Sequence, residues 1–248
     1  MTAALLIVLI ALAACAPSPD LAQLPPVPVQ TPETAVAFDF PLLTRERFGP
    51  YIPNVSGPLP VDTRYGAQNP GLGVAGKCFV DRNGSQVPFN RLFHAGEDWF
   101  ARDVRNRVDG HGAAGVPVRA IANGAVTWTQ DIGADGWVMV LVHRLPGGSR
   151  VWSAYWHVTQ PAVALGQAVR RGDRIADVLD RGFNSHLHWE IRTFGDGTTL
   201  FPPDSAGGRG TCNGRVPALG YTWDDDSSRA RPDFWGYRDP TAFIEAHR

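Results

Sequence analysis

Charge of either sign is in short supply. The 248-residue chain sets 23 basic against 24 acidic residues, a net charge of −1, and only 19% of its residues are charged. The basic excess that a generic nucleic-acid binder uses to displace counterions from phosphates is therefore missing. Long apolar runs are scarce too. The run Leu5 to Ala14 holds ten residues, about half of the roughly 20 that a spanning helix needs. No segment sustains a 3.6-residue apolar period, which argues against a helical bundle. Cysteine is limited to three, an odd number that no set of intrachain disulfides can use up. Lysine occurs once, at Lys77, and the other 22 basic residues are arginine; that bias fits a GC-rich coding sequence and carries no functional reading. Apolar residues are not lacking. At 44% they exclude a disordered chain and suffice for a sizeable core.

The first segment reads as an address. Ten apolar residues suit the h-region of a signal peptide. The run ends in Leu12-Ala13-Ala14-Cys15, which resembles the bacterial lipobox. That resemblance implies cleavage before Cys15 and lipid attachment to it, and so an exported protein anchored in the cell envelope or periplasm. No Lys or Arg precedes the run, and an ordinary secretory signal is the alternative. Residues 16–35 hold Pro17, Pro19, Pro25, Pro26, Pro28 and Pro32, which forbid helix and central strand. Such a tract reads as an extended tether reaching roughly 60 Å at about 3.1 Å per residue, or as a leader with no tethering role.

Residues 36 to about 85 are rich in Pro and Gly and read as irregular, surface-wrapping chain. From about 86 to 195, short apolar or alternating runs recur between turn signals: VPVRAIA, GAVTWTQ, WVMVLVH, RVWSAYWHV and SHLHWEIR. The pattern predicts an all-β fold, an antiparallel sheet or sandwich. Residues 196–236 form a long loop-like insertion, which functions as a lid or is a surface elaboration. Asp239-Pro240 then predicts an N-cap and first-turn proline for a short C-terminal helix. Residues 36–248 thus read as one domain.

Seven histidines are present. In His186-Leu187-His188, strand parity places His186, His188, Glu190 and Arg192 on one face and Leu187, Trp189 and Ile191 on the other. Two ligand-type groups then sit about 7 Å apart at Cα. His94 and Asp98 are four apart and align in a strand; Glu97 has the opposite parity and is the poorer ligand. His157 ends an apolar strand. Each signal is weak alone. Together, two imidazoles and one carboxylate make the open three-ligand set of a catalytic zinc site, with two more histidines available for proton transfer. His143 is read as structural and His111 as a loop residue. His247 is given no role, and Asp224-Asp225-Asp226 is read as solvated loop.

Five motifs in order carry a resemblance. They are His94-x₃-Asp98, Val116-Pro117-Val118-Arg119-Ala120 with Gly124, Tyr155-x-His157, Gly166-x₂-Val169-x₂-Gly172-Asp173 and His186-Leu187-His188-x-Glu190. Over residues 90–195 the chain resembles the lysostaphin-type (LytM-like) zinc metallopeptidases. The resemblance implies Zn²⁺ bound by His94, Asp98 and His188, and His157 and His186 as the catalytic pair. It implies hydrolysis of peptide bonds in peptidoglycan stems or cross-links, with no nucleic-acid partner. Trp99 and Asn184-Ser185 depart from the family pattern and are expected to reshape the substrate groove.

An exported domain permits disulfides. With Cys15 assigned to lipid, Cys78 and Cys212 remain as an expected pair. Three rivals stand beside the peptidase reading. One is a non-catalytic family member that regulates other wall hydrolases, acting through an unknown protein partner. The others are a non-haem iron oxygenase, which also uses two His and a carboxylate, and a structural envelope lipoprotein without metal.

Overall fold

The computed structural model describes residues 28–43, 45–57, 59, 61–69, 85, 87–103, 105–109, 111–194, 220–224 and 226–248. The signal segment, the lipobox Cys15, most of the Pro-rich tract, and both Cys78 and Cys212 lie outside them. The strands are β1 (Phe48–Pro50), β2 (Phe93–His94), β3 (Glu97–Arg102), β4 (Val108–Asp109), β5 (Pro117–Arg119), β6 (Gly124–Asp131) and β7 (Trp137–Arg144). They continue as β8 (Arg150–Val158), β9 (Ala168–Val169), β10 (Arg174–Asp177), β11 (Leu187–Arg192), β12 (Tyr221–Thr222) and β13 (Tyr237–Arg238). The α-helix is α1 (Pro240–Ala246).

A nine-stranded sheet runs in the order β1-β3-β11-β8-β7-β6-β9, with β13 on β11 and β4 on β3. Its pairings are antiparallel, and so are the two small ribbons β5–β10 and β2–β12. The all-β antiparallel expectation therefore holds. The apolar runs at 124–131, 137–144 and 150–158 became the long central strands. Pro146-Gly147-Gly148 turns β7 into β8, with Gly147 and Gly148 in left-handed backbone (φ 91° and 90°) and Leu145 N–H donating to the Ser149 carbonyl at 2.8 Å. That backbone is free of penalty only for glycine.

Both faces of the central strands are covered. One face of the sheet buries Trp99, Met139, Leu141, Tyr155, Leu187, Trp189 and Ile191 against Val118 and Ile175 of the small ribbon and Ile244 of α1. The other buries Val138, Val140, Val142, Trp152 and Trp156. Burying one such large side chain stabilises by about 2–3 kcal/mol, so the sheet is held as a rigid platform. Consequently β11 is buried at all six positions. The face carrying His188, Glu190 and Arg192 is a polar interior and not a solvated surface: the Trp156 ring lies beside His188, and the Phe194 and Tyr237 rings lie against the Arg192 guanidinium.

Docking starts earlier than the proline content suggests. Gln30 N–H donates to Gly166 O at 2.9 Å, Ala35 N–H to Arg144 O at 2.8 Å, and Thr34 bridges Arg144. Residues 30–35, placed in the tether by composition, are bonded to the domain. At the other end Asp239 caps α1 by accepting from Ala242 N–H at 2.9 Å, with Pro240 in the first turn.

Candidate metal centre

Sheet order brings the chemistry together. β3, β11 and β8 are neighbours, with His188 directly opposite Asp98 on one side and Trp156 on the other. His157 follows Trp156. His94 enters from β2 across a bend at Ala95-Gly96. A β-carbon on Gly96 would lie 2.3 Å from the Trp189 carbonyl oxygen, so only glycine lets the bend approach β11. His94 and Asp98 therefore share one site from two strands and not from one.

The ligand atoms of His94, Asp98 and His188 all lie within 4.8 Å of one another, and all three residues are buried. His94 Nε2 is 3.1 Å from Asp98 Oδ1 and 3.0 Å from His188 Nδ1, and His188 Nδ1 is 2.7 Å from Asp98 Oδ1. Burial pushes the Asp98 carboxyl up, but the His94 and His186 imidazoles and the His188 hydrogen bond outweigh it and hold the group well below the ordinary carboxylate range. Burial likewise disfavours the charged form of His188, yet its bonds to Asp98 and Glu190 raise it to about 9 in the metal-free protein. Three buried donors converging with no apolar spacer fit a small divalent cation: nitrogen and carboxylate oxygen are zinc ligands, and the cation would relieve the crowding of the lone pairs.

The far nitrogens settle the tautomers. A carbonyl oxygen only accepts, so His94 Nδ1, 3.4 Å from Arg64 O, carries its proton there and leaves Nε2 for the cluster. His186 Nδ1 donates to Asn184 O at 2.8 Å, and His157 Nδ1 to Asp135 O at 3.1 Å. Both keep Nε2 as the nitrogen with a free lone pair. His186 Nε2 lies 3.8 Å from Asp98 Oδ1, and the His157 and His186 rings are 4.9 Å apart. His157 holds a left-handed backbone (φ 58°), a strained conformation of the sort found at functional sites. Burial lowers the affinity of both rings for a proton; His186 and Arg181 push His157 down further, whereas Asp98 and the Asn184 carbonyl partly offset the fall at His186.

Residues 104–202 match the sequence pattern of Peptidase family M23. Over that stretch the chain is similar to the M23 peptidases. The match includes His157, His186 and His188, whereas His94 and Asp98 lie upstream of it. Among solved structures, the chain is similar to a zinc-containing peptidase from Vibrio cholerae, at 27% identity over 54% of this chain and 35% of that one, TM-score 0.31. It is similar to an M23 peptidase from Pseudomonas aeruginosa, at 25% identity over 58% and 48%, TM-score 0.31. It is also similar to lysostaphin from Staphylococcus simulans, at 16% identity over 75% and 55%, TM-score 0.36. The chain thus spans between a third and a half of the length of the first two.

The site has parts that sequence reasoning did not supply. The irregular segment 61–69 clamps His94 and Asp98 by their backbones: Asp98 N–H donates to Thr63 O at 3.1 Å, Gly66 N–H to His94 O at 2.8 Å, and His94 N–H to Ala67 O at 2.9 Å. The far end of the insertion walls the site. β12 pairs Tyr221 with His94, their rings are 5.2 Å apart, and Ala95 N–H donates to Gly220 O at 2.9 Å. The strand pairing of β12 is the wall; residues 195–219 lie outside the description.

Two expectations are corrected, those for Trp99 and Asp224. Trp99 does not reach the groove; it is buried on the opposite face, stacked on Phe40 at 5.1 Å, with its indole N–H on Glu97 Oε2 at 2.8 Å. Glu97 faces the same way and also accepts from Thr241 at 2.7 Å; burial raises its carboxyl to about 7. Asp224 is not solvated but buried, 3.8 Å from the Arg229 guanidinium, and Asp226 caps a 3₁₀ turn. His143 is fully buried, with Nδ1 on Asn123 O at 2.9 Å and Nε2 on Ser153 Oγ at 2.7 Å. His111 lies in a 3₁₀ turn against Phe183, and His247 stacks on Phe243 at 4.1 Å.

Proposed function

We propose that this chain is a zinc metalloendopeptidase that hydrolyses peptide bonds in peptidoglycan stems or cross-links. The observation that carries the reading is the convergence of three buried donor atoms, from His94, Asp98 and His188, beside two further histidines whose free nitrogens are both Nε2. When bound, zinc supplies a Lewis acid that polarises a carbonyl and acidifies water. The protein's own residues do the rest. Asp98 and two neutral imidazoles hold the ion. His157 and His186 present Nε2 to accept a proton from the attacking water. The resulting imidazolium N–H then donates to the oxyanion, or returns the proton to the leaving amine. A non-catalytic regulator has no use for two such histidines.

The same reading places the enzyme outside the cytoplasm. We take residues 1–15 as a lipoprotein signal, Cys15 as the lipidated residue, the following Pro-rich chain as a short tether, and Cys78–Cys212 as a disulfide of the oxidising envelope. Residues 36–248, with residues 30–35 bonded onto them, form the single peptidase domain. With a net charge near zero, substrate capture rests on the groove and the metal, and the lipid supplies proximity.

Digestion of defined peptidoglycan fragments, read by mass spectrometry, tests the activity and identifies the bond. Cleavage that stops with a chelator and returns with zinc is expected. Bound zinc with no cleavage of any fragment would favour the regulator, and no bound metal would overturn the peptidase reading.

A further inference from the structure

Glu190 has no part in the reading above, yet no carboxylate in the described residues is more completely buried: it is 0% exposed. Its Oε1 lies 2.8 Å from His188 Nε2, and its Oε2 accepts from Arg192 Nε at 2.5 Å. Arg192 Nη2 pairs with the same oxygen. Arg192 is 1% exposed, and its guanidinium lies 5.6 Å from the Tyr237 ring and 5.7 Å from the Phe194 ring. Alternation along β11 puts His188, Glu190 and Arg192 in one line on one face.

We infer that Glu190, fixed by Arg192, is a positioning residue of the metal centre: it accepts a hydrogen bond from His188 Nε2–H, which keeps the proton on that nitrogen and leaves the Nδ1 lone pair facing His94 and Asp98. This inference rests on the zinc reading. His94 and His188 need opposite tautomers, because His94 meets the cluster through Nε2 and His188 through Nδ1. His94 obtains its tautomer from a main-chain carbonyl, that of Arg64. At His188 the described residues offer a carboxylate in the corresponding place. A carboxylate also makes the ring a stronger donor to a cation, and it orients the plane. Burying that charge is costly unless it is paired, which explains why Arg192 accompanies it and why two rings flank the guanidinium.

The test uses the full chain. Zinc affinity is measured by competition with a chromophoric chelator for the wild type, for Glu190→Gln and for the pair Glu190→Leu with Arg192→Met, with circular dichroism confirming the fold. The pair leaves no buried charge behind. Glu190→Gln keeps an acceptor but loses the charge, and about a tenfold loss of affinity is expected; the pair loses both, and the loss should approach 100-fold. A separate readout is ¹⁵N NMR of the ¹¹³Cd-loaded wild type, in which His188 should couple to cadmium through Nδ1 and carry its proton on Nε2. That measurement stands whether or not either variant folds. Coupling through Nε2, or a folded variant within threefold of the wild-type affinity, would overturn the role of Glu190 while leaving the zinc reading intact. A wild type that takes up neither metal would overturn both.

Discussion

Two histidine clusters occupy this sheet, and they are built to opposite ends. At His143 each ring nitrogen has a partner of its own: the Asn123 carbonyl on one side and the Ser153 hydroxyl on the other, with Ser153 Oγ 2.9 Å from the Tyr155 hydroxyl. Its lone pairs and protons are all spoken for by protein, and burial pushes the ring down to about 4. At His94, Asp98 and His188 the inward atoms have only each other, 2.7–3.1 Å apart, while the outward nitrogens are anchored to Arg64 O and Glu190. A polar group is costly to bury unless it is bonded. The first cluster meets that cost within the protein, and the second presents a donor set that could hold an ion.

Removing a ligand should separate the clusters most sharply. Asp98→Asn or His188→Ala should cost zinc affinity beyond the roughly 10–100-fold that an outer partner costs, and hydrolysis should fall with it. His157→Ala and His186→Ala should keep zinc within a few-fold while lowering turnover about 10²–10⁴-fold. Metal analysis beside turnover on the same samples checks both; zinc loss in the His157 variant would place that residue among the ligands.

His143→Ala should do the reverse. It leaves the Ser153 hydroxyl and the Asn123 carbonyl without their buried partner and opens a cavity, at a cost of about 3 kcal/mol. Zinc affinity should hold, since the ring touches none of the five site residues. Denaturant melts of the metal-free protein give the first number and chelator competition the second.

Acid titration sharpens the same contrast. The unfolded chain protonates His143 near its ordinary value of 6.5, and the folded protein only near 4. Between those values the unfolded state holds more protons, so stability falls as pH drops from 6.5 to 4, by about 3 kcal/mol from this residue. Above 6.5 the contribution is fully present. His143→Asn should flatten that part of the stability profile; an unchanged slope would assign the acid sensitivity to other groups.

Half of this contrast could be read in advance. His186-x-His188 and His94-x₃-Asp98 carry parity, and parity is a backbone property that survives into the fold. The runs that became β6, β7, β8 and β11 were visible for the same reason. Parity puts Glu190 and Arg192 on the correct face, but alternation alone does not say whether that face meets solvent. Nothing in a strand's own sequence says that neighbours will cover both faces. The Arg64 carbonyl was unreadable because main-chain acceptors leave no side-chain signature. The pairing of Tyr221 with His94 joins distant parts of the chain, and two-residue strands have no period to detect. Asp224 was misjudged on composition, since a buried acid and a solvated one look alike until the Arg229 partner is seen.

The smallest expected effect concerns the wall. Gly220 has φ 75°, and a β-carbon there would lie 3.1 Å from His188 Cε1. Gly220→Ala therefore meets two penalties. The left-handed backbone disfavours any side chain by about 1 kcal/mol, and the new methyl crowds the ring whose orientation Glu190 sets. If the insertion's end is only ornament, the variant should lose about that much stability and keep its zinc affinity. If it braces the centre, the methyl turns the His188 ring against its hydrogen bond and zinc affinity falls a few-fold as well. The strand pairing of Tyr221 with His94 and the Ala95–Gly220 bond favour the brace, because a segment bonded to one ligand and packed on another cannot shift without moving both. Paired melts and zinc competition on Gly220→Ala decide it, and stability loss with unchanged affinity would reduce the segment to a cover.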